Sequence, residues 1–438
     1  MRDTTVVRQT CDRLFARTFT ISLMISLLVQ ILTLLCALVV NFAVPALFGL
    51  TEYGLFLQAN ILVFVFQKLT DIANEPLLSR LDAPAIFPVS LCVGGGVLVV
   101  FATVNLLYPL GSVLLLAAML LSSCVLLSMY AMRQAKRILV YLCAFLSMFG
   151  VSIVLNLTKV YEMDIQHILI LTNLVPALVA AVFLIPSSRV WPGAGSLAGV
   201  VGSLWKSVPS MLSLTLVYNL FTNIFPFLLS KTLPADSLGL FRVMASLVQS
   251  ATSFFPLNIK TIFVALLRSD DRERHYATIM SFSLCYFATA GLATYALVTI
   301  LPKFQPYTAL VCSLPVLYWA VLSERYLLAM NKVRYVRAIN ILVGISFLIA
   351  MFFVKNVHQA ILCYGLGFSV YAALLLYEVS NRIHSLVAIW VCGVAPVTAF
   401  SLWHTALPAL IYLVGCLTLA LGIIRFNLND LRALKEAI

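Results

Sequence analysis

The chain has 438 residues, 62% of them hydrophobic and 10% charged, and a mean hydropathy of +1.05. That composition excludes a soluble globular protein and defines an all-α polytopic integral membrane protein. The formal net charge of +12 does not mark a nucleic-acid partner, because the basic residues stand in short clusters between apolar runs and not in one domain. The ten cysteines lie almost all inside apolar runs, with no C-x-x-C pair or metal-ligand spacing. They are expected to be small core residues, and no metal or cofactor is expected.

Taken in chain order, about fourteen apolar runs are long enough to span a bilayer. Their cores are 19–46, 54–78, 86–108, 111–132, 138–157, 166–186, 208–230, 239–267, 276–301, 307–330, 338–354, 360–379, 385–403 and 406–424. Arg2, Arg8, Arg13 and Arg17 precede the first run, which is too long for a signal h-region and is expected to remain as a membrane helix. With the N-terminus in the cytoplasm, the inner loops collect Arg133, Lys136, Arg137, Arg189, Lys206, Arg268, Arg272, Arg274, Lys332, Arg334, Arg337 and Arg382. Arg425, Arg432 and Lys435 follow the last run, while the outer loops hold Lys159, Lys231, Lys303 and Lys355. The bias puts both termini in the cytoplasm.

The longest link, residues 187–207, carries Gly193, Gly195, Gly199 and Gly202 and separates two halves. Thr51-Glu-Tyr-Gly-Leu-Phe56, after the first run, matches Asp236-Ser-Leu-Gly-Leu-Phe241, after the seventh. Each is an acid-containing turn followed by Gly-Leu-Phe. An even number of spans between equivalent positions preserves direction, so the halves are expected to be parallel repeats. The resulting organisation is an N-terminal six-helix bundle over 1–186, a cytoplasmic linker over 187–207, a second six-helix bundle over 208–379, and a C-terminal helix pair with its tail over 380–438.

Polar groups inside the runs are concentrated on few helices. In the eighth run Arg242, Gln249, Ser253, Pro256 and Lys260 follow steps of 7, 4, 3 and 4, one stripe of a helix. A charge at the bilayer centre costs about 2.5–3.5 kcal/mol on insertion scales, so such residues face a polar path, find a partner or snorkel to headgroups. In the second run Asn60, Gln67, Asp71 and Asn74 repeat at 7, 4 and 3, with Lys68 and Glu75 about one turn to either side of Asp71. Two carboxylates one turn apart, Asp71 and Glu75, are candidates for ion coupling or gating, against the simpler reading that Asp71 neutralises Lys68. The first run adds Gln30 and Asn41, and the seventh adds Ser210, Asn219, Thr222 and Asn223. Single amides or hydroxyls in membrane helices commonly serve as interhelical hydrogen bonds. Together they point to a cavity among the first, second, seventh and eighth spans. Glu324 and Arg325 in the tenth run, near the cytoplasmic side, are expected to pair with neighbours or to snorkel, and Glu378 with Arg382 to form a helix-surface pair.

No catalytic constellation is present. His167, His275, His358, His384 and His404 fall at the edges of the runs, and the chain has no Walker loop, H-E-x-x-H or G-x-S-x-G. The pattern is that of a carrier and not of an enzyme.

Leu47-Phe-Gly-Leu-Thr-Glu-Tyr-Gly-Leu-Phe56, then Leu69-Thr-Asp71, with Leu238-Gly-Leu-Phe241 in the second half, resembles the bacterial polysaccharide-biosynthesis transporters. These are the O-antigen and related flippases of the multidrug/oligosaccharidyl-lipid/polysaccharide exporter superfamily. The resemblance implies two six-helix bundles, often with two further C-terminal helices, around a cavity that opens alternately to either side. The implied substrate is an undecaprenyl-pyrophosphate-linked oligosaccharide turned from the inner to the outer leaflet of the bacterial cytoplasmic membrane. It also implies membrane lipids, a polysaccharide polymerase and chain-length proteins as partners.

That cargo suits the residues. A cation about 4 Å from a pyrophosphate gains on the order of 4 kcal/mol at an effective dielectric of about 20, enough to offset its burial. Lys260 and Arg242 are the expected pyrophosphate ligands, with Arg17 assisting at the inner mouth. Asn60, Gln67, Asn219, Asn223, Gln249 and Ser253 are the expected glycan-facing groups. A multidrug antiporter of the same superfamily would rely on acidic cavity residues; Asp71 and Glu75 permit it, and the basic stripe argues against it. An O-antigen polymerase or ligase would be expected to show a long basic outer loop, and an acyltransferase a catalytic His or acid pair; neither is visible in the sequence.

Overall fold

In a computed structural model the chain is described over residues 39–74, 83–132, 134–184, 225–253, 272–300 and 313–379, with short pieces and single positions elsewhere. Every regular element among the described residues is helical. A π-helical turn, Val39–Ala43, leads into the short α1, Val44–Phe48, followed by α2, Leu50–Asn74; α3, Ala83–Leu107; α4, Val113–Ala131; α5, Ala135–Leu157; and α6, Ile165–Leu184. After the link come α7, Phe225–Leu229; α8, Ala235–Ser253; α9, Arg272–Ile300; α10, Ser313–Ala329; α11, Val333–Met351; and α12, Val357–Val379. Among the described residues nine helices are long and apolar enough to cross a membrane.

Local chemistry sets the ends of these helices. Gly49, at φ +88°, ends α1 and its N–H donates to Pro45 O at 2.9 Å. Ser112 caps α4 by accepting from Leu115 N at 3.2 Å, and Gly111 before it takes φ +133°. Asp164 does the same for α6, accepting from His167 N at 2.7 Å. Arg272 at the start of α9 donates to the last carbonyl of α10, Ala329 O, at 3.0 Å.

The helices begin three or four residues before several of the apolar cores, because caps and first turns are polar and hydropathy alone passes over them. Their outward faces carry large apolar side chains: Leu106, Val140, Val182, Leu342 and Tyr377 are all well exposed. In water such a surface would drive association; in hydrocarbon it is the expected exterior. The protein is therefore read as membrane-embedded.

The chain divides into two compact units, one within 1–40 and 59–208, the other within 41–58 and 209–438. In the first, α4 packs on α3 and α6, and α5 on α6, around Phe87, Cys124, Val125, Met129, Tyr141 and Phe145. In the second, α10 is central and packs on α12, α9 and α8, with α11 on α12. Its interior is aromatic: Phe225, Phe241, Phe347 and Tyr364 form one cluster with Phe225 5.4 Å from Phe241 and from Phe347. Of the cysteines expected in the core, Cys36, Cys124 and Cys416 are buried, whereas Cys92 and Cys143 are exposed on apolar helix faces.

Candidate functional site

The second-run stripe forms as spaced, on one α-helix, and three of its side chains, Asn60, Gln67 and Asp71, are engaged by neighbours within the first unit. Asn60 is buried; its Oδ1 accepts from Ser112 N at 2.9 Å and its Nδ2 donates to Gln166 at 3.5 Å. Gly111 packs so tightly here that a Cβ on it would come within 3.2 Å of Asn60 Oδ1. Asn60 thus fixes the turn that launches α4. Gln67 donates to Asp71 Oδ2 at 2.9 Å and to Ser123 Oγ on α4 at 3.1 Å. Lys68 stands 3.4 Å from the same Asp71 oxygen, as the simpler expectation for that pair had it. Glu75, Arg17, Asn219, Asn223 and Lys260 lie outside the described residues, as does Arg382. Gln249 and Ser253 lie on α8 as backbone positions.

In the second unit, polar groups gather near the start of α8. Arg242 is half-buried there, one turn before Ser246. Asn41 Oδ1 accepts from Ser246 Oγ of α8 at 3.1 Å and from Tyr53 Oη at 3.5 Å. Gln58, further along α2, donates to the carbonyls of Ser230 at 3.4 Å and Leu233 at 3.3 Å in the turn before α8. The two copies of the Gly-Leu-Phe motif therefore meet in space, with Asn41, Ser246 and Arg242 beside them.

A second polar cluster involves a residue from each of three helices. Glu324 on α10 is 5% exposed, and its Oε2 accepts from Tyr371 Oη on α12 at 2.7 Å. Tyr371 also lies 3.4 Å from Asn340 Oδ1 on α11, and Asn340 in turn accepts from Val217 N at 3.3 Å. Next to Glu324, Ser323 shares a 2.7 Å hydrogen bond with Tyr276 of α9. Of the two expectations for Glu324, pairing or snorkelling, the structure shows a neighbour: the Tyr371 hydroxyl, which also reaches Asn340. Glu378 is paired with Lys332 at 2.5 Å, a partner from the α10–α11 turn that helical spacing cannot indicate. Asn340 was visible as an amide in an apolar run; Tyr371 and Tyr276 carry no such signal, because tyrosine is ordinary in membrane helices.

No protein-family model, curated protein or solved structure matches this chain.

Proposed function

We propose that the protein is a flippase that moves an undecaprenyl-pyrophosphate-linked oligosaccharide from the inner to the outer leaflet of the bacterial cytoplasmic membrane by alternating access. On this reading about fourteen helices span the membrane and both termini are cytoplasmic. The observation that carries it is the sequence spacing of the eighth span, where Arg242, Gln249, Ser253 and Lys260 recur at steps that suit one face of a helix. Membrane interiors reject isolated cations, and a stripe that pairs them with amide and hydroxyl groups fits an anionic phosphate followed by a sugar. Lys260 takes the pyrophosphate, Arg242 receives it nearer the outer face, and Arg17 assists at the inner mouth. Arg242 is half-buried one turn before Ser246, whose hydroxyl bonds to Asn41, and this supports a polar environment for that end of the stripe. Asp71 with Glu75 contributes to ion coupling or gating.

The test compares glycan export at matched membrane levels. Lys260→Arg keeps the charge and is expected to retain most export, whereas Lys260→Ala and Lys260→Glu lose it, and Lys355→Ala in an outer loop is neutral. In cells lacking the protein, single lipid-linked units should accumulate in the inner leaflet. Normal export by Lys260→Glu removes it as a phosphate ligand, and accumulation in the outer leaflet instead points to a polymerase.

A further inference from the structure

Between α11 and α12, in the second compact unit, runs a groove of about 550 Å³. Its lining recurs every three or four positions along both helices, so the groove follows one face of each. The sequence accounts for the space. Ser346 and Ala350 stand four apart on α11, and Cys363 and Gly367 four apart on α12; side chains this small leave a trough where larger ones would interlock. The buried Val343 and Phe347 form its floor, and the exposed Leu342, Phe353, Leu366 and Val370 its walls, so it opens on the exterior of the protein. At the opposite end of the helix pair the packing is polar: Tyr335 Oη donates to Leu374 O at 2.9 Å, and Lys332 pairs with Glu378. Gln359 marks the end of the groove nearest the α11–α12 turn. Its Oε1 accepts from Lys355 N at 2.7 Å, which leaves the amide NH2 to donate. Among the described residues no charged side chain lines the groove.

We infer that this groove binds one chain of an outer-leaflet phospholipid, with the ester and phosphate oxygens at the Gln359 end. The inference stands on the apolar exterior and on the charge bias, which places the α11–α12 turn at the outer face; it does not need the proposed cargo. An apolar trough surrounded by hydrocarbon cannot stay empty without forfeiting contacts along every wall, so a lipid chain fills it. Length decides which chain. From Gln359 to Leu374 the groove follows α12 for about 22 Å at 1.5 Å per residue, and one leaflet of a bilayer about 40–45 Å thick with its headgroups is about 20–22 Å. A single phospholipid matches it from head to chain end, whereas a chain much longer than a leaflet, such as the prenyl tail of the proposed cargo, would overrun it. Polarity runs the same way, since the amide donor at the mouth meets oxygens that only accept, and apolar walls follow for the chain. The uncharged lining reads the ester and the chain and not the headgroup's charge. A lipid held there completes the packing that small residues leave unfilled between α11 and α12.

The probes are phosphatidylethanolamine and phosphatidylglycerol that carry a photoreactive diazirine either near the ester or at the chain end. Each is mixed into vesicles of the same two lipids holding the full-length protein, and labelled residues are mapped by mass spectrometry after illumination. Labelling of the groove is expected several-fold above that of the exposed α6 face at Leu178, Val179 and Val182, where only bulk lipid passes. The ester-side probe should label near Gln359 and the chain-end probe near Val370 and Leu374, equally for both headgroups. Gly367→Phe fills the groove and should bring the excess down to the α6 level, with α6 labelling unchanged. Ala350→Leu, a smaller addition, should lower it part of the way and covers the case in which Gly367→Phe fails to fold. Equal labelling of groove and α6 in the parent overturns the site, as does an excess that survives filling in a folded variant. A reversed order of the two probes overturns the outer-leaflet orientation. Displacement of the probe by equimolar polyprenyl phosphate overturns the phospholipid as occupant and gives the groove to a prenyl chain.

Discussion

The two compact units solve the same problem, polar side chains among apolar helices, in different ways. In the first, Gln67, Lys68, Asp71 and Ser123 form a cluster on two helices that remains in touch with the exterior: Lys68 is 51% and Asp71 32% exposed at the side chain. In the second, Glu324, Tyr371 and Asn340 come from three helices and are closed off, with Glu324 at 5%. The difference shows where electrostatics is strong. A carboxylate with access to water or headgroups keeps its solvation and gains little from a partner, whereas a buried one depends on each donor it is given.

The strongest way to break that contrast is to remove the donor from the closed cluster. Tyr371→Phe leaves the Glu324 oxygen one hydrogen bond short in a place solvent does not reach. Unsatisfied buried groups cost about 1–3 kcal/mol in general, and interhelical bonds in membranes reach about 1.7 kcal/mol, so a loss of about 1–2 kcal/mol is expected. It is measured in detergent as a lower temperature for thiol-dye labelling of the buried Cys36, Cys124 and Cys416. Glu324→Leu together with Tyr371→Phe should recover part of the loss, since it removes the buried carboxylate that Tyr371→Phe leaves short of a donor. A Tyr371→Phe protein as stable as the parent would mean that the contrast between the units is not energetic.

A smaller effect is expected at Asn60, and it sharpens the question of what the α2 stripe is for. Its Oδ1 holds the Ser112 N–H at the turn into α4. Asn60→Ala removes that acceptor and should cost about 1 kcal/mol, while Asn60→Ser keeps an uncharged acceptor there and should recover part of it. Export measured beside stability separates two roles. If Asn60→Ala exports normally once its membrane level is matched, Asn60 serves the turn alone; if export falls at full stability, it faces the glycan as well.

Much of the helical framework was legible because its signals are local. Runs of apolar residues, the Gly-Leu-Phe repeat and the 7-4-3 spacing on α2 all lie along one helix or recur in one register, and periodicity reads them directly. What was not legible depends on which helices become neighbours. Spacing placed Asn60, Gln67 and Asp71 on one face but did not show that Asn60 would meet Ser112 and Gln166 or that Gln67 would meet Ser123. Spacing likewise offered Arg382 to Glu378, while the fold supplies Lys332. Tyr371 was silent because nothing marks one tyrosine among 17 as the donor to a buried acid. The reciprocal seating of Gly54 on Ala235 and Gly239 on Leu50 was half-visible: the motif was repeated, but sequence alone does not show that its copies touch.

The smallest stability effect is expected in the open cluster, and it bears on function more than on the fold. Lys68 and Asp71 are separated by 3.4 Å and partly exposed, so solvent and headgroups replace either partner at little loss. Lys68→Ala should change stability by about 0–1 kcal/mol, the range for exposed pairs. Asp71→Asn removes the charge while leaving an oxygen to accept from Gln67, so it too should fold and insert normally. The two variants then divide the roles of Asp71. If it only neutralises Lys68, both variants export as the parent does at every pH. If it takes up a proton or cation during transport, Asp71→Asn flattens the pH dependence of export while Lys68→Ala keeps it, because only the first removes the titrating group. Export by Asp71→Asn with an unchanged pH profile would leave this carboxylate a structural partner of Gln67 and Lys68, and any coupling group would have to be found elsewhere.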